Sequence, residues 1–270
     1  MKLDLHVHTT YSDGSMTPKQ VVGVAKARGL LAIAITDHDE CRGYDEVAHE
    51  TGIKVISGIE LSASFHGEVH VLGFDFDCRN EAMLAHIKEQ AQSRRTRAEA
   101  MIERFADHGI EMTMEDVLDE CKGEVLGRPH FAEVLVKNGH ASSTKQAFSQ
   151  YLNKNAKCFV ARGKVDITRA VELIVGAGGK AVLAHPGLIS GTVWNKLYGE
   201  LKNLGFWGIE AYHPSHSAGK CREFVSIAKA QGLFVTSGSD FHRSPNTSVG
   251  IGQEQRGGKY LAKSMKALGL

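Results

Sequence analysis

Short apolar segments recur along the chain, each running into a polar cluster: Leu3–Val7, Leu31–Ile35, Lys54–Ile56, Val69–Phe74, Ala181–Ala184, Gly208–Ala211 and Leu233–Thr236. Their length and their flanks predict seven strands. Helical patterns fall between several of them. Thr17-Pro18-Lys19-Gln20 supplies an N-cap threonine, a proline at the first helical position and a glutamine at N3, which predicts a helix to about Arg28, stopped by Gly29. Further helices are predicted over Tyr44–Glu50, Ile167–Ala177, Val193–Leu204 and Lys220–Gln231. Strands alternating with helices predict a parallel sheet of the α/β class, and seven nearly continuous apolar strands predict a closed or almost closed barrel. Gly176-Ala177-Gly178-Gly179-Lys180 lacks the spacing of a phosphate loop and is read as the turn that ends a helix.

One connection breaks the rhythm. About a hundred residues separate Phe74 from Lys180, where one crossover helix needs a few tens. The pattern there is helical, near Asn80–His108, after Thr113, from Pro129 and near Ser143–Tyr151. Residues 79–159 are therefore predicted to form an inserted helical subdomain, with the barrel built from 1–78 and 160–270. Over 79–159, twelve Lys and Arg balance twelve Asp and Glu, so the insertion is no basic nucleic-acid arm. Its one basic cluster, Arg94-Arg95-Thr96-Arg97, is read as a solvated helix face.

Charge changes the picture little. The chain has 32 Lys and Arg against 31 Asp and Glu, which argues against binding a long polyanion such as DNA but permits a small anionic substrate. The longest apolar run, Leu30–Ile35, is too short to cross a bilayer. The five cysteines are scattered without a C-x-x-C pair, so they read as small buried hydrophobes of a reduced, cytoplasmic protein.

Fourteen histidines change it more. Imidazoles and carboxylates gather where the strands end: His6 and His8 on one face of the first strand, then Thr36-Asp37-His38-Asp39, Gly58-Ile59-Glu60, His70, Ala184-His185-Pro186, Glu210 with His213, and Gly238-Ser239-Asp240-Phe241-His242. In a parallel barrel these ends form one rim. So many ionisable groups in one place need compensating charge, and divalent cations supply it. Imidazole and carboxylate without thiolate suit zinc, manganese or iron, and the number of ligands suits two or three ions. His49, His66, His86, His108, His140 and His216 lie away from strand ends and read as surface or packing residues; Phe206, Trp207 and Phe241 read as core more than as base-stacking groups.

His6-Val7-His8, Tyr11-Ser12-Asp13-Gly14, Thr36-Asp37-His38, Gly58-Ile59-Glu60, Ala184-His185-Pro186 and Gly238-Ser239-Asp240-Phe241-His242 resemble, in order, the motifs of the polymerase and histidinol phosphatase (PHP) superfamily. The resemblance spans nearly the whole chain and implies a distorted seven-stranded (β/α)7, TIM-like barrel. It implies a first metal at His6, His8, Glu60 and Asp240, a second at Asp13, His38 and His242, and a third shared by Glu60 with His70 and His185. Manganese is the first choice, with zinc or iron as alternatives.

The inserted region with Gly127-Arg128-Pro129-His130 resembles the branch that holds 3',5'-nucleotide bisphosphate phosphatases and 5'-to-3' exoribonucleases. The expected reaction is attack on phosphorus by metal-bridged hydroxide, with His213 or His242 protonating the leaving sugar oxygen, His213 being the better candidate because a metal ligand makes a poor acid. Arg128, at a helix start, is expected to hold a second phosphate, seconded by His130 and Arg162. The expected substrate is a nucleoside 3',5'-bisphosphate. A short 5'-phosphorylated RNA, or a non-catalytic metal-binding scaffold, are the alternatives.

Overall fold

The computed structural model describes residues 2–121, 125–242, 250–252 and 258–269. Its strands are β1 (Leu3–Asp4), β2 (Ala32–Ile35), β3 (Lys54–Ser64), β4 (Glu68–Phe74), β5 (Val165–Asp166), β6 (Lys180–Leu183), β7 (Gly208–Tyr212) and β8 (Phe234–Ser237). Seven run in the order β1-β2-β3-β4-β6-β7-β8, and β5 pairs beside β3. Past its last two strand residues, the β1 chain continues along β8: Leu5 N–H donates to Ser237 O (3.1 Å), Asp240 N–H to His6 O (2.8 Å) and His8 N–H to Phe241 O (2.9 Å). That seam joins the first and last strands, so the barrel is nearly closed.

The sheet is mixed, which corrects the all-parallel expectation. β3 runs on to Ser64 and folds back as β4 in an antiparallel hairpin, and β4 is also antiparallel to β6. The remaining pairs are parallel. The predicted third strand stopped at Ile56 because Gly58 and polar Glu60 interrupt the apolar run, yet both are buried in the strand. β5 is two residues long, too short to leave a pattern in the sequence.

The helices around the barrel are α1 (Pro18–Ala27), α6 (Ile167–Gly176), α7 (Gly191–Leu197), α8 (Ala218–Gln231) and α9 (Gly258–Ala267). α1 begins with the capping box read from Thr17 and Gln20. The helix expected over Tyr44–Glu50 is a single 3-10 turn, Arg42–Tyr44, followed by further turns. α7 ends at Leu197, short of the predicted Leu204. Leu261, Met265 and Leu268 pack on Leu3, Leu5 and Phe74, at the strand ends away from the histidines.

Between β4 and β5 lie α2 (Glu81–Asp107), α3 (Met114–Glu120), α4 (Arg128–Lys137) and α5 (Thr144–Ala147), which runs into a π-helical turn at Phe148–Leu152. Phe105, Phe131, Leu135 and Leu152 belong to a hydrophobic cluster of this block, distinct from those of the barrel. Residues 122–124 of the block lie outside the described residues. Among the described residues no helix is long and apolar enough to cross a membrane.

Candidate active site

Glu60 stands at the centre of the rim. It is fully buried on β3, and the antiparallel turn of β4 carries His70 back beside it, so a ligand near the start of β4 meets ligands at the ends of parallel strands. His70 Nδ1 and His185 Nε2 each lie 2.8 Å from Glu60 Oε1, and His38 Nδ1 lies 2.9 Å from Glu60 Oε2.

The four atoms facing one another on the other side are His6 Nε2, His8 Nε2, Glu60 Oε2 and Asp240 Oδ1. His6 Nε2 lies 3.2 Å from His8 Nε2, 3.2 Å from Asp240 Oδ1 and 3.5 Å from Glu60 Oε2, and His8 Nε2 lies 3.2 and 3.3 Å from the same oxygens. Ligands about 2.0–2.2 Å from a tetrahedral ion stand roughly 3.3–3.6 Å apart, so this spacing fits a divalent cation. Two more groups converge: His8, Asp13, His38 and His242, and His38, Glu60 and His70. The donor atoms carry their own sign of a missing partner. Asp13 Oδ1, His38 Nδ1, Glu60 Oε2 and His185 Nδ1 are buried without a hydrogen bond, a cost that cation ligation removes for the ligand atoms.

The structure thus brings all nine sequence-predicted ligands to one rim, with two shifts of detail. His38 faces both Asp13 and Glu60, and His185 hydrogen-bonds Glu60 without joining the three converging groups.

Electrostatics follow from burial and this crowding. Burial alone would raise the Glu60 carboxyl, but His38, His70 and His6 outweigh it and hold the group well below the usual carboxylate range. Asp13, beside His242 and His38, and Asp240, beside His6 and His242, behave the same way. Conversely, burial would lower His70 and His242, yet Glu60 lifts His70 to about 9, and Asp13 with Asp240 lifts His242 to about 10.

A second tier of residues aims the first. Glu210, fully buried, accepts from His6 Nδ1–H (3.1 Å) and from His185 N–H (2.7 Å), which leaves His6 Nε2 free as a ligand. Asp37 accepts from Thr9 N–H, Thr9 Oγ1 and Ser12 Oγ, pinning the loop that carries Asp13. His242 Nδ1–H donates to Asp240 O (2.8 Å), turning Nε2 toward Asp13. His185 and Asp240 sit at φ 23° and 53°, left-handed backbone that such tight loops must hold in place. At Gly238 any Cβ would fall 2.2 Å from the His6 Cβ, so the seam requires glycine. His216, read as a packing residue, accepts from Gly187 N–H through Nε2 and donates from Nδ1 to Ala211 O, bracing the loop after His185.

His213 accepts from Ser215 N–H at Nδ1 (3.1 Å), so its proton resides on Nε2, 3.3 Å from Asp240 Oδ2.

Beside Asp13, His38 and His70 the same cavity, about 210 Å³, is walled by Arg94, Arg97, Arg128, Arg162 and Lys164. Arg128 opens α4, donates to Leu152 O at the π-helical turn, and lies between the Phe148 and Phe159 rings, 5.9 Å from each centroid. Arg162 and Arg94 both reach Asp39, and Lys164 pairs with Glu68. The Arg97 side chain makes no ion pair or hydrogen bond among the described residues and its Nε is buried; burial and the charges of Arg94, Arg162 and Arg128 push its guanidinium pKa down against the pull of Glu68.

This corrects the reading of the 94–97 cluster as a solvated face: Arg94 is buried and Arg97 half-buried, while Arg95 and Thr96 are exposed. His130 is also placed differently. It is buried and accepts from Gly127 N–H at the start of α4, away from the cavity wall. Phe206, Trp207 and Phe241 are core, Trp207 stacking on Phe234 at 4.3 Å.

Residues 4–170 match the family model described as PHP domain. The chain belongs to the PHP family. Among its relatives, a 3',5'-nucleoside bisphosphate phosphatase of Chromobacterium violaceum is 35% identical over 89% of this chain and 87% of its own. A 5'-3' exoribonuclease of Haemophilus influenzae is 35% identical over 89% and 90%. A phosphoribosyl 1,2-cyclic phosphate 1,2-diphosphodiesterase of Eggerthella lenta is 32% identical over 88% and 93%. Among solved structures, an amidohydrolase from Chromobacterium violaceum with bound sulfate and no metal superposes with a TM-score of 0.89 at 32% identity, over 99% of this chain and 97% of that one. A Bifidobacterium adolescentis protein described as a candidate metal-dependent phosphoesterase gives 0.86 at 28% identity, over 99% and 96%. This PHP chain is accordingly a metal-dependent phosphoesterase, a hydrolase of phosphoric esters.

Proposed function

We propose that the chain removes the 3'-phosphate from nucleoside 3',5'-bisphosphates, giving the nucleoside 5'-monophosphate and inorganic phosphate. The observation that carries this reading is one cavity with two kinds of anion site, imidazole–carboxylate ligands on one wall and Arg97, Arg128, Arg162 and Lys164 on the other. A substrate with two phosphates uses both, whereas a simple monoester leaves the arginine wall idle. Residues 79–159 act in this reading as a subdomain whose task is to bring Arg97 and Arg128 to the barrel mouth.

Two or three divalent ions, manganese first and zinc or iron otherwise, would be held by His6, His8, Asp13, His38, Glu60, His70, His185, Asp240 and His242; bound there they supply Lewis acidity and a water acidic enough to attack phosphorus near neutral pH. The protein's residues do the rest. Arg128, pre-oriented by Leu152 O and two aromatic rings, grips the 5'-phosphate with Arg162 beside it. Glu210 and Asp37 keep the ligand side chains from turning. His213 presents Nε2–H and gives that proton to the departing 3'-oxygen.

The names of the Haemophilus relative and of an Escherichia coli 5'-3' exoribonuclease 31% identical to this chain favour a second reading on the same site. A 5'-phosphorylated RNA end presents the same 5'-phosphate, with a diester in place of the 3'-monoester. Phosphate and nucleotide release from adenosine 3',5'-bisphosphate, adenosine 3'-monophosphate and a 5'-phosphorylated oligoribonucleotide tests both. A preference for the bisphosphate over the 3'-monophosphate supports the reading, and equal rates on the two reject it.

A further inference from the structure

The arginine wall borders more than one cavity. Arg97, Val160 and Arg162 also line a second, larger hollow of about 1130 Å³ that runs along α2. The metal-side cavity alone, about 210 Å³, is smaller than the ~300–1000 Å³ of common ligand clefts; the larger hollow lies against it, with Arg97 on the wall of both. The larger hollow is also lined by Lys88, Gln92 and Arg95 and by several alanines, with Glu89 as its acidic member. Arg95 is held only by an exposed pair with Glu99, a weak restraint. Arg97, whose side chain has no ion-pair partner among the described residues, thus stands on the wall common to both hollows.

We propose that this hollow receives a substituent on the substrate's 5'-phosphate, so that the enzyme also dephosphorylates nucleoside 3'-phosphates whose 5' end is a diphosphate ester. This rests on the 5'-phosphate lying against the arginine wall. A diphosphate adds negative charge at the shared wall, where the Arg97 side chain has no ion-pair partner among the described residues, and the chain beyond it meets Ala85, Ala91 and Ala100. The reaction is unchanged and balances: water adds to the 3'-phosphorus, the P–O3' bond breaks, the 3'-oxygen takes a proton, and inorganic phosphate leaves while the 5'-diphosphate linkage stays intact.

Coenzyme A, which bears a 3'-phosphate and a 5'-diphosphate ester with a long organic tail, is the probe. Phosphate release from it and from adenosine 3',5'-bisphosphate is compared in the wild type and in Gln92→Trp, which places an indole in the hollow, with the organic product weighed by mass spectrometry. We expect kcat/KM for coenzyme A within about tenfold of that for the bisphosphate, a product lighter by one phosphate with its diphosphate whole, and a coenzyme A to bisphosphate ratio at least tenfold lower in Gln92→Trp. Turnover of the bisphosphate but not of coenzyme A overturns the proposal and leaves the bisphosphate reading standing. Turnover of neither overturns both. Equal losses on both substrates in Gln92→Trp also overturn it, because the hollow would then hold the nucleobase. An unchanged ratio in a folded Gln92→Trp protein, checked by circular dichroism, means the tail lies elsewhere and equally contradicts it.

Discussion

Arg128 and His213 separate binding from chemistry. Arg128 touches the phosphate that does not react, so Arg128→Ala is expected to raise KM for the bisphosphate about 10- to 100-fold, as loss of a charge-assisted contact of roughly 1.5–3 kcal/mol would, while hydrolysis of p-nitrophenyl phosphate is nearly unchanged; steady-state kinetics on the two substrates check this. His213 acts on the leaving oxygen. His213→Asn should lower kcat for the bisphosphate by about 10²–10⁴ and lower it much less for p-nitrophenyl phosphate, whose leaving group needs no proton; equal losses would remove His213 from that role. At this scale most candidate ligands were legible because they sit at or just after strand ends in recognisable motifs, whereas His70 lies near the start of β4 and outside those motifs. The roles of Arg97 and Glu210 were not, although Glu210 counted among the rim groups. Which face of α2 meets the barrel depends on how a block of four helices folds back, and Glu210 is seen to aim His6 only when residues 204 apart are brought into contact.

The elements are tied together by Asp39. From the loop after β2 it accepts from Ser62 N–H on β3 and pairs with Arg94 of α2 and with Arg162 in the segment leading to β5. Burial would raise its carboxyl, but Arg94 and Arg162 hold it well below the usual range. Removing the charge leaves two buried guanidiniums without their anion, so Asp39→Asn is expected to cost about 3–5 kcal/mol, read from urea unfolding, and to displace the arginine wall. A cost below about 1 kcal/mol would mean that the helices and the barrel hold together without it. The barrel was legible in seven apolar runs, yet its mixed direction was not: antiparallel β4 has the same hydrophobic pattern as a parallel strand, and only the short turn between Ser64 and Glu68 betrays it. The helix start at Arg128 was legible from Pro129, while the cap formed by His130 on Gly127 escaped notice because histidine at N3 is not the usual partner.

For the whole molecule, the rim sets the response to pH and to metal. In the metal-free protein Glu60 raises His70 to about 9, and Asp13 and Asp240 raise His242 to about 10, both against burial. Folded values above the unfolded one of about 6.5 mean that these protons add stability fully below pH 6.5 and that the gain is lost as pH climbs through 9 and 10. Metal-free protein is therefore expected to lose stability over that window, whereas ions that displace the protons bind more tightly as pH rises, so metal-loaded protein should resist the loss. Urea midpoints from pH 6 to 10, with and without manganese, check it; the same slope in both forms would contradict it. The most direct test of the account is an anomalous difference map from crystals grown with manganese, recorded at the manganese absorption edge. Two or three peaks enclosed by His6, His8, Asp13, His38, Glu60, Asp240 and His242 are the expected result. A map with no peak at that rim, from protein that still hydrolyses the bisphosphate, would contradict it.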